Sequence, residues 1–335
     1  MMKKGKAIAL LSGGLDSILA LKMMLDEGFE VIALNLKTPF CTSGSKGDDY
    51  SQSVAERFGV PLRRIYGEED YLKIVKNPKH GYGKNMNPCI DCRIFLFRKA
   101  KEVMEEEGAD FVFTGEVLGE RPMSQRKDAM SLIERESGLK GRVLRPLSAK
   151  LLEPTLMEKE GMVDRNRLLD IRGKSRKPQL TLAKRYKIDD FPSPAGGCLL
   201  TDENFAQRVK DSFEHGEDAL RHMSLLKLGR HFRVPTRAKI IAGRDQKENI
   251  TLMELSLPAE LKFTVHGYKS TYVLLLGEAN SENQTKAAEV CARYCDKKGC
   301  GRIPVRVWLD SPSEFKLIEA NPLDESGLSS FRVGG

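Results

Sequence analysis

The stretch Lys6-Ala7-Ile8-Ala9-Leu10-Leu11-Ser12-Gly13-Gly14-Leu15-Asp16-Ser17 runs from apolar residues into a glycine pair, and apolar positions then recur at Ile18, Leu21, Met24 and Leu25 until Gly28. A short apolar run, a glycine loop and a period near 3.6 predict strand, tight turn and helix. The pattern returns downstream: a second strand over 31–36, a helix over about 51–58 closed by Gly59, and a third strand near 62–65. A polar loop over about 77–87 leads to Cys89 and Cys92, a charged helix runs to Glu107, and 111–114 form another buried strand before Gly115. Such alternation predicts an α/β domain, a parallel sheet with helices on both faces.

The rest of the chain has a different texture. The segment from Pro146 to about Asp190 is helical and basic, interrupted by Pro154 and Pro178, and resembles an adaptor more than part of a sheet. Pro192-Ser193-Pro194-Ala195-Gly196-Gly197 is a loop that delivers Cys198, and Thr201-Asp202 opens a helix with a good cap. After Leu228-Gly229 short strands take over near 238–242, 261–265, 271–276 and 303–309, with one helix over about 282–295. The expected division is 1–175, an adaptor over 176–225 carrying Cys198, and a small α+β domain over 226–335.

With 335 residues the chain allows two or three domains, and 40% hydrophobic with 30% charged residues excludes disorder as its main state. No apolar run reaches the roughly 18 residues of a membrane span, and the basic start Met1-Met2-Lys3-Lys4 precedes too short an apolar run for a leader. The expectation is a cytoplasmic protein with no membrane partner. A net charge of +8 suits a polyanionic partner but equally a surface rich in Lys and Glu. Seven cysteines, two of them in Cys89-Ile90-Asp91-Cys92, read in a reducing compartment as metal or redox chemistry.

A glycine pair between strand and helix turns backbone N–H groups toward an anion, and the helix N-terminus adds partial positive charge. The loop lacks the Gly-Lys-Ser/Thr ending of a Walker motif and the spacing of a dinucleotide fingerprint. Its Ser-Gly-Gly-Leu-Asp-Ser string resembles the PP-loop ATP pyrophosphatases. That resemblance implies that Ser12, Gly13, Gly14, Leu15, Asp16 and Ser17 hold the phosphates of ATP, with Asp16 organising Mg²⁺. It also implies that Asn35, Thr114 and Gly115, at strand ends, line the nucleotide cleft. The loop from Thr114 to Gln125 should cover that cleft, where Arg121 would stabilise charge on the transferring phosphate or touch RNA; the plainer reading is a solvated connector.

Asn87-Pro88-Cys89-Ile90-Asp91-Cys92 together with Cys198 is similar to the tRNA thiolation branch of the same family, the synthetases of 4-thiouridine and 2-thiouridine. The iron–sulfur members of that branch imply a [4Fe–4S] cluster on Cys89, Cys92 and Cys198, with one iron left open. Two other chemistries remain: a metal-free thiolate or persulfide resolved by a disulfide, and a zinc site with a fourth ligand such as His80. Cys291, Cys295 and Cys300 match no metal spacing and read as packing or an incidental disulfide.

In the tail, Arg233, Arg237, Lys239, Arg244 and Lys247 outnumber Asp245 and Glu248, which by itself describes a solvated basic face. The run Lys239-Ile240-Ile241-Ala242-Gly243-Arg244-Asp245, followed by Glu248-Asn249, resembles the NFACT-R domain of ribosome-associated quality-control factors, with Asp245 where Asn is usual. That resemblance implies RNA binding through Arg233, Arg237, Lys239 and Arg244. Taken together, the resemblances imply an ATP-dependent tRNA sulfurtransferase. It would adenylate a nucleobase carbonyl oxygen and replace it with sulfur drawn from sulfide or a persulfide carrier. The alternatives are an enzyme that adenylates a small molecule or carrier protein, and a non-catalytic RNA-binding factor of translation quality control.

Overall fold

A computed structural model describes residues 4–41, 45–191, 197–235, 237–296 and 301–335, with backbone alone at 45–49. Met1 to Lys3, the Pro192 to Gly196 part of the expected cysteine loop, and Cys300 lie outside the described residues. The chain folds as two compact units, Met1–Leu199 and Leu200–Gly335.

The first unit runs β1 (Lys6–Leu10), α1 (Leu15–Asp26), β2 (Glu30–Lys37), α2 (Ser45–Arg57), β3 (Leu62–Tyr66), α3 (Glu69–Lys76), α4 (Cys89–Glu106), β4 (Phe111–Thr114), α5 (Lys127–Ser137), β5 (Val143–Leu144), α6 (Leu156–Lys159) and α7 (Lys177–Tyr186). The five strands pair in parallel in the order β3-β2-β1-β4-β5. Successive side chains of a strand point to opposite faces, and β1 shows the result. Ala7 and Ala9 join Leu15, Ile18, Phe111 and Phe113 on one side, while Ile8 and Leu10 join Ile94, Phe97, Val112 and Ile133 on the other. The expected α/β class is therefore borne out, and each fully buried Phe contributes about 1.5–3 kcal/mol of apolar burial.

Three elements are not legible in the sequence. In α3 and α5 only Tyr71, Leu72 and Val75, and Ala129, Met130, Ile133 and Ser137, are buried, too few to mark a long period. The two residues of β5 are too short to stand out. Pro178, read as an interruption, instead occupies the first turn of α7, where its missing N–H costs nothing.

The second unit begins with α8 (Glu203–Glu214), capped by the Asp202 carboxylate accepting from the Phe205 N–H, and α9 (Leu220–Leu225). There follow β6 (Arg230–Val234), β7 (Ala238–Ala242), α10 (Gln246–Leu255), β8 (Leu261–Val265), β9 (Val273–Gly277), α11 (Ser281–Arg293), β10 (Ile303–Trp308), β11 (Lys316–Ala320), α12 (Glu325–Ser329) and β12 (Arg332–Val333). Its seven strands form an antiparallel sheet ordered β11-β10-β8-β9-β7-β6-β12. One face packs Ile240, Phe263 and Val305 against Ala287, Ala288 and Cys291 of α11; the other packs Ile241 and Leu274 against Leu252 of α10. Cys291 is thus a core residue, its thiol pushed up to about 12, first of all by burial. Helix α10 has no apolar period to announce it, because Leu252 is its one buried residue. The residues expected to form the adaptor divide, α7 and Cys198 lying in the first unit and α8 and α9 in the second.

Candidate functional site

In the first sheet the chain leaves β1 toward β2 on one side and β4 lies on the other, so the crevice between the carboxyl ends of β1 and β4 is the topological switch point, the place where open α/β sheets bind ligands. The residues at that crevice are Ser12 to Ser17 and Thr114-Gly115. Gly13 takes φ +82°, a conformation that favours glycine. Helix α1 starts from Gly14 with no side-chain cap, while the Ser17 hydroxyl donates to the Gly14 carbonyl at 2.8 Å and lies 3.3 Å from the Ser12 hydroxyl. Gly115 packs so tightly that a Cβ there would sit 2.4 Å from the Asp16 carbonyl carbon and the Ser17 nitrogen. Asn35 donates to the Leu11 carbonyl at 2.6 Å, bracing the exit of β1, and its own carbonyl oxygen is buried without a partner.

Asp16 is the orphaned polar group of the loop. Its Oδ1 is buried with no hydrogen bond, and burial raises its carboxyl above the usual range, against the opposing charge of Arg176 and the nearby Gln179 amide. Gln179 is fully buried beside it, yet neither end of its amide closes a hydrogen bond of normal geometry. Glu120 is raised as well, by burial first and then by the negative charge of Asp16. A carboxylate whose charge is disfavoured by a second one beside it suits a hard cation. Arg121 is lowered chiefly by the positive charge of Arg93, with its surroundings adding to the effect. It is nevertheless solvent-accessible, as expected of a side chain on an open cleft wall. The 115–125 loop is held by Gly119 N–H donating to the Gln125 carbonyl at 2.7 Å and Arg121 N–H to its side-chain oxygen at 2.9 Å. These bonds brace the loop, whose Glu120 and Arg121 lie within electrostatic reach of Asp16. Arg93, Glu120, Arg176 and Gln179 do not stand out in the sequence, because nothing in their local spacing ties them to the glycine loop.

The cysteines come together around a residue that sequence reasoning also misses. Tyr71 is fully buried, and its hydroxyl hydrogen-bonds Cys92. Burial first, and then Cys92, Cys198 and Cys41, push the phenol well above its usual value. Cys89 and Cys92 lie in the first turn of α4. Burial pushes both thiols up, opposed at Cys89 by Arg93 and Arg121 and at Cys92 by the Tyr71 hydroxyl. Cys198 meets Cys41 across an antiparallel bridge. The loop ahead of α4 is tied down by Asp91, which accepts from the His80 N–H at 2.9 Å and faces His80 Nδ1 at 3.0 Å; His80 Nε2 faces Glu136 at 3.3 Å. His80 is thereby engaged on both ring nitrogens. Among the described residues no three His, Cys, Asp or Glu side chains are grouped to hold a metal ion. The ligands of a multi-iron cluster, spread over several metals, need not meet at one point.

The tail residues separate by role. Arg233 donates to Asp211 at 2.7 and 3.0 Å and to Glu217 at 2.7 and 2.9 Å. Lys239, 1% exposed, bridges the same carboxylates at 3.2 and 3.1 Å. Burial works against both acids, but Arg233 and Lys239 outweigh it and hold them below the usual carboxylate range. Lys239 has no surface to offer a phosphate. Arg244 pairs with Glu248 on the exterior, and Arg237 is exposed. The Gly-Arg-Asp run is architectural: Asp245 caps α10 by accepting from Glu248 N–H at 2.9 Å, Glu248 accepts from Gly229 and Arg244 N–H at 3.1 and 2.8 Å, and Asn249 accepts from Tyr272 N–H at 3.0 Å. Asp245 thus serves as a helix cap.

These observations define a nucleotide-type α/β unit, with carboxylates at the carboxyl ends of its central strands and a group of thiols in the same unit, joined in sequence to an antiparallel α+β unit. Residues 2–155 match the thiamine biosynthesis protein (ThiI) family and residues 229–332 match the NFACT protein RNA binding domain, so the resemblances read from the glycine loop and from the Gly-Arg-Asp run both hold. The chain is similar to a probable tRNA sulfurtransferase of Thermococcus kodakarensis, 28% identical over 48% of this chain and 40% of that protein. It is also similar to the tRNA-specific 2-thiouridylase MnmA of Fervidobacterium nodosum, 32% identical over 33% of this chain and 36% of that protein. A 4-thiouridine synthetase solved with RNA and ATP aligns with a TM-score of 0.36 and 22% identity, over 66% of this chain and 53% of that one. The chain thus spans less than half the length of the curated relatives named. Among the described residues no helix is long and apolar enough to cross a membrane.

Proposed function

We propose that this protein is an ATP-dependent RNA sulfurtransferase acting on tRNA, as the names of its relatives suggest. The observation that carries the reading is the convergence of Cys41, Cys92 and Cys198 on Tyr71, with Cys89 beside Cys92, in the same unit as a glycine loop whose Asp16 has a buried, unpartnered oxygen. The loop N–H groups from Gly13 to Ser17 and the N-terminus of α1 bind the phosphates of ATP. Mg²⁺ fits Asp16 and Glu120, where it would neutralise two crowded carboxylates and polarise the phosphoryl oxygens.

A uridine or cytidine carbonyl oxygen attacks the α-phosphorus, forming a P–O bond as the bond to pyrophosphate breaks. Arg121 and Arg93, crowded against one another, offset the charge that builds on the phosphoryl group. Sulfur then attacks the activated carbon, and the C–O bond breaks to release AMP. Cys89, Cys92 and Cys198 are the residues that would hold a [4Fe–4S] cluster, whose open iron supplies a site for sulfide. In the second unit Arg237 and Arg244 face solvent and would meet RNA phosphates.

The test is pyrophosphate release from ATP with and without tRNA, combined with mass analysis of the tRNA nucleosides. Stimulation by tRNA and a thiolated nucleoside are expected. Pyrophosphate release driven only by a small molecule, with unmodified tRNA, would overturn the substrate class.

A further inference from the structure

We propose that Cys41 and Cys198 are a thiol–disulfide pair, whose oxidation withdraws Cys198 from the sulfur centre; this regulatory role rests on the sulfurtransferase reading, whereas the pairing itself does not. Of the cysteines around Tyr71, these two are the ones set opposite each other by backbone pairing. The Leu199 N–H donates to the Phe40 carbonyl at 2.9 Å, a bond running between the residues that flank the pair. That pattern makes Cys41 and Cys198 a non-hydrogen-bonded antiparallel pair, the kind whose Cα atoms lie about 4.5 Å apart with side chains together on one face. Disulfides span Cα separations of about 4.4–6.8 Å, so the pair falls within range and at its short end.

The Cys41 side chain is held for this encounter. Thr38 N–H donates to Cys41 Sγ at 3.4 Å, and the Thr38 hydroxyl lies 3.4 Å from the same sulfur. Cys89 and Cys92 are committed elsewhere: they sit on a helical turn anchored by Asp91 and His80, with Cys92 bonded to Tyr71. Among the described residues no strand ladder places either opposite Cys198.

Both residues are thiols in the structure. With a low-molecular-weight disulfide as oxidant, one cysteine sulfur attacks it, forming a mixed disulfide and releasing one thiol. The other cysteine then attacks that mixed disulfide, forming the Cys41–Cys198 bond and releasing the second thiol. Both S–H protons and two electrons end on the oxidant. A disulfide between two partly exposed residues is open to attack by glutathione, so the change reverses when thiol is restored.

The test uses the full-length protein, purified without oxygen and equilibrated in mixtures of reduced and oxidised glutathione. Remaining thiols are alkylated and peptides are mapped by mass without reduction. The expected result is one linked pair containing Cys41 and Cys198 that forms before any other and is reversed by reduced glutathione. A pairing of Cys198 with Cys89 or Cys92, or a Cys41 that stays alkylatable throughout, overturns the proposal. A second arm measures iron bound after reconstitution: oxidised wild type should lose most of its iron, while Cys41→Ser treated identically should keep it. Equal loss in both proteins overturns the regulatory role. Should neither reduced protein take up iron, the cluster reading fails, and the peptide map still decides the pairing.

Discussion

Gly115, at the end of the fourth strand, lies against the backbone of Asp16 so closely that a methyl group there would stand 2.4 Å from the Asp16 carbonyl carbon. The atoms in the way are backbone, which cannot swing aside as a side chain does. Gly115→Ala must therefore displace the start of the first helix. The expected cost is about 1–3 kcal/mol, together with loss of pyrophosphate release. Thermal unfolding and an ATP turnover assay read the two effects; unchanged turnover would show that the loop tolerates the shift.

Asp16 should show opposing effects on stability and activity. A carboxyl raised above its usual value by burial keeps its proton in the folded state at a pH where the unfolded chain has lost it. Stability therefore falls as pH rises through the raised value and stays reduced above it. Asp16→Asn removes that penalty, so the variant should unfold at a higher temperature at neutral pH, by about 2–4 °C for each kcal/mol recovered. Its pyrophosphate release should disappear. A variant that is both less stable and fully active would refute the assignment.

Protein purified without oxygen should be brown and contain iron and sulfide. Cys89→Ala, Cys92→Ala and Cys198→Ala should each abolish the colour, whereas Cys291→Ala should keep it, because Cys291 packs in the separate core of the second unit. Colourless, iron-free wild type that still thiolates RNA from a persulfide donor would move the chemistry to the thiols alone.

In the second unit the basic residues should part company. Arg237→Ala with Arg244→Ala should weaken tRNA binding and flatten its salt dependence, the slope falling by roughly 0.7–0.9 for each phosphate left without its cation. Lys239→Met should instead destabilise the unit by about 3 kcal/mol, since it removes the fully buried cation shared by two half-buried carboxylates. Asp211 and Glu217, held below the usual range, lend stability that is present above their unfolded values and lost as pH falls through the folded ones. Acid should therefore unfold this unit early, and circular dichroism against pH would follow it. Loss of RNA affinity in Lys239→Met at full helix and strand content would contradict the buried role.

Much is legible in the residues because it is local. Strand, glycine loop and helix follow from periodicity and from Gly13-Gly14, and β1 sends Ala7 and Ile8 to opposite faces simply because side chains alternate along a strand. The Cys89 to Cys92 spacing and the string from Ser12 to Ser17 also announce themselves without a fold. What only the tertiary structure decided is what meets across the chain. Strand order puts Thr114-Gly115 beside the loop at Ser12. It brings Gln179 and Arg176 to Asp16, Cys41 to Cys198, and Tyr71 among the sulfurs. It also turned Lys239 from an apparent surface charge into a buried partner of Asp211 and Glu217. A sequence records the order of charges and sulfurs, but burial and pairing depend on distances that exist only once the sheets have closed.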